Sequence, residues 1–364
     1  MTTVPLDSTS GATTSSSPRP LRRPMSRRRG GATRGHNVFG WLFVSPALAI
    51  LLIFLVVPIG LALYVSFTDW SGVTSPFGST VHFVGLANYR ALLTQTGLTQ
   101  SNFGTSIRNN FYYVLFTVPL QTVLALWLAI IVNNRFLKGR GLFRTAFYFP
   151  SVTSSVAITV VFIFLFQSGG AVNQILHGLF GINGPNWLYD TRGVFTLMLG
   201  GLGVHNPPSW ANGQFLGVTW WNWLAGPSLG MCVLIIQITW TTSGTFMLMF
   251  LASLQNISGE VEEAGAVDGA SPWQRFRYVT LPMLRPTLVL VLTLGLISTW
   301  QVFDQIVLTG QNNATMTTPA YESYYVSFQD NAFGQGAAIA FMLFLLIVVL
   351  TLIQRHFVKE DLTK

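Results

Sequence analysis

Residues 255–282 read Gln255-Asn-Ile-Ser-Gly-Glu-Val-Glu-Glu-Ala-Gly-Ala-Val-Asp-Gly-Ala-Ser-Pro-Trp-Gln-Arg-Phe-Arg-Tyr-Val-Thr-Leu-Pro282. Glu260, Glu262 and Glu263 gather at the start of a helical pattern, where carboxylates complement the positive end of the helix dipole. The small residues Ala264, Gly265 and Ala266 follow, and Asp268-Gly269 is a turn signal. Ser271-Pro272-Trp273-Gln274 then opens a second helix, with Ser as N-cap, Pro in the first turn and Gln three residues after the cap. The spacing predicts two short helices meeting at a bend that Gly269 permits. Small side chains there let another protein's surface approach closely.

Both flanks of this stretch are apolar. A helix that spans a membrane needs about 20 largely apolar residues, because lipid cannot satisfy free backbone groups. Residues 231–254 and 287–308 qualify, and so do 41–67, 111–132, 146–166 and 334–353. A seventh apolar run, 193–204, is too short to span and reads as a surface or re-entrant element. The first run is too long for the apolar region of a cleaved signal, about 7–15 residues, so it is expected to be retained. Composition agrees with six spans. Charged residues make up 9% of the 364 and apolar residues 50%, against roughly 25% charged in soluble proteins; mean hydropathy is +0.50. Such a chain cannot cover a soluble surface. The expected fold is an all-α integral membrane protein of six transmembrane helices with a two-helix cytoplasmic loop.

The net charge of +8 does not indicate a nucleic-acid binder, because the basic residues are segregated. Seven Arg lie in the tail (residues 1–40), which is otherwise Ser, Thr, Pro and Gly and reads as disordered. Arg135, Lys138, Arg140 and Arg144 follow the second span, and Arg275, Arg277 and Arg285 follow the fourth. Arg355, Lys359 and Lys364 end the chain. These are seventeen of the 20 Lys and Arg; the alternate connections hold Arg90, Arg108 and Arg192. The positive-inside rule therefore places both termini and the 255–286 loop in the cytoplasm of a bacterial-type plasma membrane, and residues 168–230 outside. That outer connection carries Trp187, Trp210, Trp220, Trp221 and Trp223, which suit a headgroup interface or the docking of a soluble partner.

The single cysteine, Cys232, excludes an internal disulfide and a Cys-rich metal site. The five His (36, 82, 177, 205, 356) are scattered, so neither a metal nor another cofactor is expected. No G-x-x-x-x-G-K-[ST] loop and no H-E-x-x-H occur. The chain is not expected to hydrolyse a nucleotide itself.

Glu263-Ala264-Gly265, three residues, Gly269, nine residues and Val279-Thr280-Leu281-Pro282 resemble the E-A-A-x3-G-x9-I-x-L-P loop of permease subunits in binding-protein-dependent ABC importers. Gly265 and Val279 replace Ala and Ile without losing small or apolar character. Asp268-Gly269-Ala270 and the run from Phe276 to Pro282 look like the carbohydrate branch, similar to maltose and glycerol-3-phosphate permeases. Val302-Phe-Asp-Gln-Ile-Val-Leu-Thr-Gly310 is similar to the fifth-span ending of sugar permeases, although Gln311-Asn312-Asn313 replaces the usual Gly-Gly-Pro. Phe149-Pro150 and Gly170-Ala-Val-Asn173 also fit. The resemblance covers a domain of residues 105–355, after a first transmembrane helix at 41–67; part of 190–220 looks like an addition.

What the resemblance implies is an ABC importer permease fold without enzyme activity. The loop at Glu263, Ala264, Gly265, Asp268, Gly269, Ala270, Leu281 and Pro282 would seat on a separate ATPase dimer. ATP-driven closure of that dimer would switch the spans between inward-open and outward-open states. An extracytoplasmic binding protein would deliver the solute, most simply a sugar, and a second homologous permease would complete the pathway. A non-sugar solute such as glycerol-phosphate, an amino acid or a polyamine is the alternative.

Polar groups at membrane depth usually face protein or water. Gln237, Trp240, Thr241 and Gly244 share one helical face of the fourth span, and Trp300, Gln301, Asp304 and Gln305 share one of the fifth. Sugar recognition wants amides or carboxylates beside aromatic planes, so Gln237, Trp240, Trp300, Gln301 and Asp304 are the expected solute contacts; interhelical hydrogen bonding is the alternative. An ion-coupled secondary transporter would carry several intramembrane charges or matched interrupted halves. Here Asp304 is the one acidic residue expected within a span.

Overall fold

The computed structural model describes residues 34–134, 136–204, 208–309 and 315–357. The tail of residues 1–33, Arg135, His205, Gly310 to Asn313, Lys359 and Lys364 lie outside the described residues. The chain divides into two units, Met1–Pro58 and Ile59–Lys364.

In the first unit, α1 (Arg34–Leu51) leads into a π-helical turn, Leu52–Val56. Pro58 lacks the N–H that would continue the α-ladder, so a local change of hydrogen bonding is expected just before it. Helix α2 (Val57–Val65) follows. The run Gly40–Val65 is 26 residues of mean hydropathy 2.9, long and apolar enough to cross a membrane.

The second unit is built on two long helices. After α3 (Ala87–Leu93), α4 (Leu98–Asn133) runs 36 residues, fourteen more than the apolar stretch predicts. Its first three turns are too polar to read as membrane, with Gln100, Arg108, Asn109 and Asn110 all buried. Arg108 thus lies within a helix rather than in a connection. The short helices α5 (Arg140–Val152), α6 (Ser155–Phe166), α7 (Ala171–Phe180) and α8 (Val194–Gly201) come next. A two-stranded antiparallel hairpin, β1 (Gln214–Phe215) and β2 (Val218–Thr219), turns through Leu216 (φ 51°) and Gly217 (φ 70°), the left-handed pair that tight hairpins prefer. Then come α9 (Trp220–Leu224) and α10 (Leu229–Gln255).

The predicted two-helix loop forms α11 (Gly259–Val267) and α12 (Pro272–Arg275), which continues through a π turn into α13 (Leu281–Met283). Helices α14 (Arg285–Trp300), α15 (Asp304–Thr309), α16 (Pro319–Phe328) and α17 (Phe333–Phe357) complete the unit. Among the described residues six stretches are long and apolar enough to cross a membrane.

The core follows the faces of α4. Toward the loop end, Ala125, Leu128, Ala129 and Val132 pack on Met247, Phe250, Leu251 and Leu254 of α10 and on Val291 of α14. Nearer the other end, Tyr113 packs with Met231 and Leu234 of α10 and with Val302 and Ile306. Val114 and Val118 meet Trp300, Leu343 and Ile347.

Two expected spans differ from the structure. The third, residues 146–166, is broken: α5 ends at Val152, Thr153 is extended (ψ 150°), and α6 starts at Ser155. The apolar stretch that can cross is instead Ser155–Phe180. Pro150 and the run of small hydroxyl residues after it supply the physical reason, since their side chains can take over the carbonyls that the ladder releases. Thr153 Oγ1 donates to Phe149 O (2.9 Å) and Ser151 Oγ to Tyr148 O (2.7 Å). The fifth, residues 287–308, breaks between Trp300 and Asp304.

Candidate functional site

The two breaks face each other. Ser155, the first residue of α6, donates its hydroxyl to Asp304 Oδ2 at 2.9 Å, and Asp304 is the first residue of α15. Beside them lies a cavity of about 450 Å³ bordered by Ser151, Thr153 and Ser155 from the first break, Ser298, Gln301 and Gln305 from the second, and Gln237, Thr241, Thr242 and Thr245 from α10. A smaller cavity of about 190 Å³ shares Thr242, Ser298, Gln301 and Gln305 and adds Tyr113 and Asp304. The polar groups of the lining are hydroxyls and amides, set on a larger apolar frame that includes Ile158, Phe246, Leu294 and Ile297.

Buried side chains stabilise the second break. Helix α14 ends at Trp300, freeing carbonyls that lipid could not satisfy. Asn110 of α4, fully buried, donates Nδ2 to Trp300 O at 2.9 Å, and Thr318 donates Oγ1 to Val302 O at 3.1 Å. A second pair of cross-helix bonds fixes α10. Gln237 donates Nε2 to Thr159 Oγ1 of α6 (2.7 Å), and Thr242 donates to Gln121 Oε1 of α4 (2.6 Å). Among the described residues, Gln237 Oε1 and the Tyr113 hydroxyl find no partner.

The expected α10 face keeps one side but performs three tasks. Gln237 and Thr241 line the cavity. Trp240 lies against Phe162 of α6, with ring centroids 6.0 Å apart. Gly244 abuts α5 so closely that a Cβ there would lie 2.5 Å from Phe147 O. The second expected face does not hold together, because the break falls inside it. Gln301, Asp304 and Gln305 reach the cavities, whereas Trp300 is 2% exposed, packs among Val114, Val118, Leu343 and Ile347, and lines neither cavity.

Sequence reasoning overlooked Asn110, Gln121, Ser155, Thr159 and Thr318. For Gln121 and Thr159 the signal was available: an isolated amide and hydroxyl within apolar helices, each of which must find a partner at that depth.

At the loop, Gly269 adopts φ +78°, the left-handed conformation that favours glycine, with open space around it. Ser271 forms the expected capping box: its Oγ accepts from Gln274 N (3.3 Å) and Gln274 Oε1 accepts from Ser271 N (2.8 Å). The Arg275 side chain lies against Gly265 of α11, where a Cβ would meet it at 3.4 Å, an ordinary van der Waals contact. Glu263, Ala264, Asp268 and Gly269 are exposed, as are Val267, Trp273 and Tyr278, whereas Gly265, Ala270 and Leu281 are half-buried. Pro282 lies in the first turn of α13. A crevice of about 660 Å³ separates Ile130 and Asn133 of α4 from Glu263, Arg275 and Phe276.

At the opposite end, two carboxyls are shifted in opposite directions. Arg192 donates to Asp190 (Nη2 to Oδ2, 2.6 Å) and holds its carboxyl below the usual range. Burial, aided by repulsion from Asp330, pushes the Glu322 carboxyl up to about 7.

Residues 121–360 match the family described as the binding-protein-dependent transport system inner membrane component. Among curated relatives, the lactose transport system permease protein LacF of Rhizobium radiobacter is 30% identical over 339 residues, covering 91% of this chain and 98% of that one. The arabinooligosaccharides transport system permease protein AraP of Halalkalibacterium halodurans is 31% identical over 284 residues, covering 76% of each chain. The trehalose/maltose transport system permease protein MalF of Thermococcus litoralis is 30% identical over 315 residues, covering 86% of this chain and 91% of that one. A chain of a solved bacterial ABC transporter involved in the import of the acidic polysaccharide alginate superposes with a TM-score of 0.67 at 20% identity, covering 90% and 98%. That likeness is one of fold.

Proposed function

The chain belongs to the inner membrane components of binding-protein-dependent transport systems, and from that premise we propose that it moves a sugar through the cavity between its two helix breaks. It is a multi-pass permease subunit of an ABC importer and not an enzyme; ATP hydrolysis resides in a separate ATPase. The sugar reading is carried by one observation: a cavity of about 450 Å³ whose polar lining is hydroxyls and amides, the chemistry that pairs with sugar hydroxyls. The lactose, arabinooligosaccharide and trehalose/maltose permeases among its relatives support it.

Gln237, Gln301 and Asp304 contact the solute, and Trp240 borders the path from α10. Trp300 serves the path from behind, by packing the break in place. A second, homologous permease faces this cavity. The two-helix loop, through Glu263, Ala264, Gly265, Asp268, Gly269, Ala270, Leu281 and Pro282, docks on the ATPase dimer and transmits its closure. Its exposed apolar residues Val267, Trp273 and Tyr278 give that contact a surface to bury. Both termini and this loop face the cytoplasm, and a binding protein delivers the sugar at the opposite end. The domain spans 105–355, preceded by the first transmembrane helix (41–67).

The test is reconstitution of the complete importer in liposomes with its binding protein. ATP-dependent accumulation of a labelled di- or trisaccharide is expected. Accumulation of amino acids or polyamines and of no sugar would contradict the reading.

A further inference from the structure

We propose that the cavity selects uncharged sugars over sugar acids and sugar phosphates, and that Asp304, held by Ser155, is the discriminating residue. This rests on the sugar reading above. Among the described residues, those lining the two cavities include no Lys, Arg or His, and their one charged group is Asp304. The buried cation of the same unit, Arg108, is engaged elsewhere: its Nη1 donates to Asn222 O (3.2 Å) and its Nη2 to Asn109 Oδ1 (2.9 Å).

An anion that leaves water for a low-dielectric cavity needs a cation or converging donors, and here it would meet a carboxylate instead. The hydrogen-bond inventory points the same way. Asp304 accepts one bond, from Ser155, and has acceptor capacity to spare. That carboxylate calls for a ligand that donates. A neutral sugar offers it hydroxyls, whereas a carboxylate or phosphate offers only acceptors. The fold does not decide this choice, since the alginate importer shares it while handling an acidic polysaccharide. The lining decides it.

Ser155 is a positioning residue. Its hydroxyl fixes the carboxylate at the joint between the two half-helices, and its own helix, α6, carries Thr159, the partner of Gln237.

The experiment uses the purified complete importer in detergent without binding protein, so that the permease alone selects. Saturation-transfer NMR measures binding of lactose, maltose and maltotriose, each paired with the derivative whose terminal C6 alcohol is a carboxylate. For wild type, the neutral members are expected to bind at least about tenfold more tightly than their acids. Asp304→Asn and, independently, Gln301→Lys should each narrow that ratio to about threefold or less, and Ser155→Ala should narrow it partway. Equal binding of neutral and acidic partners by wild type would overturn the charge rule and leave the sugar reading intact. So would a ratio unmoved by both charge variants in monodisperse complexes. If no neutral sugar binds, the sugar reading of the cavity fails, and this inference fails with it.

Discussion

Helices α4 and α10 run unbroken for 36 and 27 residues, whereas the paths beside them, α5 into α6 and α14 into α15, are each interrupted. All four carry polar side chains, but they satisfy them differently. In the unbroken pair, hydroxyls such as Thr122 bond back to the previous turn (Val118 O, 2.7 Å) and the backbone ladder stays closed. At the breaks the ladder opens, and at the second one Asn110 and Thr318 reach in from neighbouring elements to take the carbonyls of Trp300 and Val302. The difference separates a scaffold from a site. Continuous helices keep their backbone ladder closed and pack tightly; broken ones leave space and directed polar groups, and the cavity lies there. The breaks also depend on the scaffold, because Asn110 belongs to α4.

The largest effect is expected at the joint between the two kinds of helix. Gly244→Val would place methyl groups where a Cβ alone lies 2.5 Å from Phe147 O and 3.0 Å from Tyr148 Cα. Both are backbone atoms, so α5 must move, at a cost of about 3 kcal/mol. Folded yield and melting temperature should drop sharply; a wild-type melt would mean that α5 is not seated on α10.

Asn110→Ala should cost about 2 kcal/mol, because it leaves Trp300 O unsatisfied in a buried place. Thr122→Val, which removes only a back-bond within α4, should cost no more than about 0.5 kcal/mol. Thermal melting of both variants compares broken with unbroken helix directly. Equal losses would erase the distinction.

Glu322 gives a pH dependence. Its folded pKa of about 7 exceeds the ordinary carboxyl value of 4.5, chiefly through burial, so folding favours the protonated form. Stability should therefore rise as pH falls from about 7 toward 4.5 and should level off below that, by up to about 3 kcal/mol. Melting across that range should show the slope, and Glu322→Gln should flatten it. An unchanged slope in the variant would assign the dependence to other groups.

A smaller stability effect than at the breaks is expected in the loop. Gly269→Asp imposes a side chain at φ +78° in open space, which costs about 1 kcal/mol. Its functional effect should be greater, with sugar-stimulated ATPase activity falling severalfold while the complex still assembles. Wild-type stimulation would count against the coupling role of the loop.

How much of this was legible in the sequence depended on the range of the interactions. The loop was read nearly atom by atom, because its bend and capping box depend on residues within a few positions of one another: Gly269, Ser271 and Gln274. Span existence was legible because apolar runs of about 20 residues have few other uses. The breaks were not, since the short polar stretches at 150–155 and 301–305 leave residues 146–166 and 287–308 apolar enough overall to read as continuous spans, and the second break is held by Asn110 and Thr318, which lie outside its run. Trp300 shows the consequence. Helical periodicity put it beside Gln301 and Asp304, but the turn at 301–303 sends the indole into the core and the carboxylate to the cavity. The extra turns of α4 were hidden for the opposite reason: they are polar, yet buried against protein.

The central claim is that the cavity between the breaks is the solute path. Ser298 borders both cavities, and Thr241 borders the larger one from the opposite helix. Ser298→Trp and Thr241→Trp, made separately, would fill that space without touching the loop. Sugar uptake into liposomes by the reconstituted importer should fall at least about tenfold in each variant, with complex yield unchanged. Uptake at the wild-type rate by both, with the indoles in place, would contradict the account.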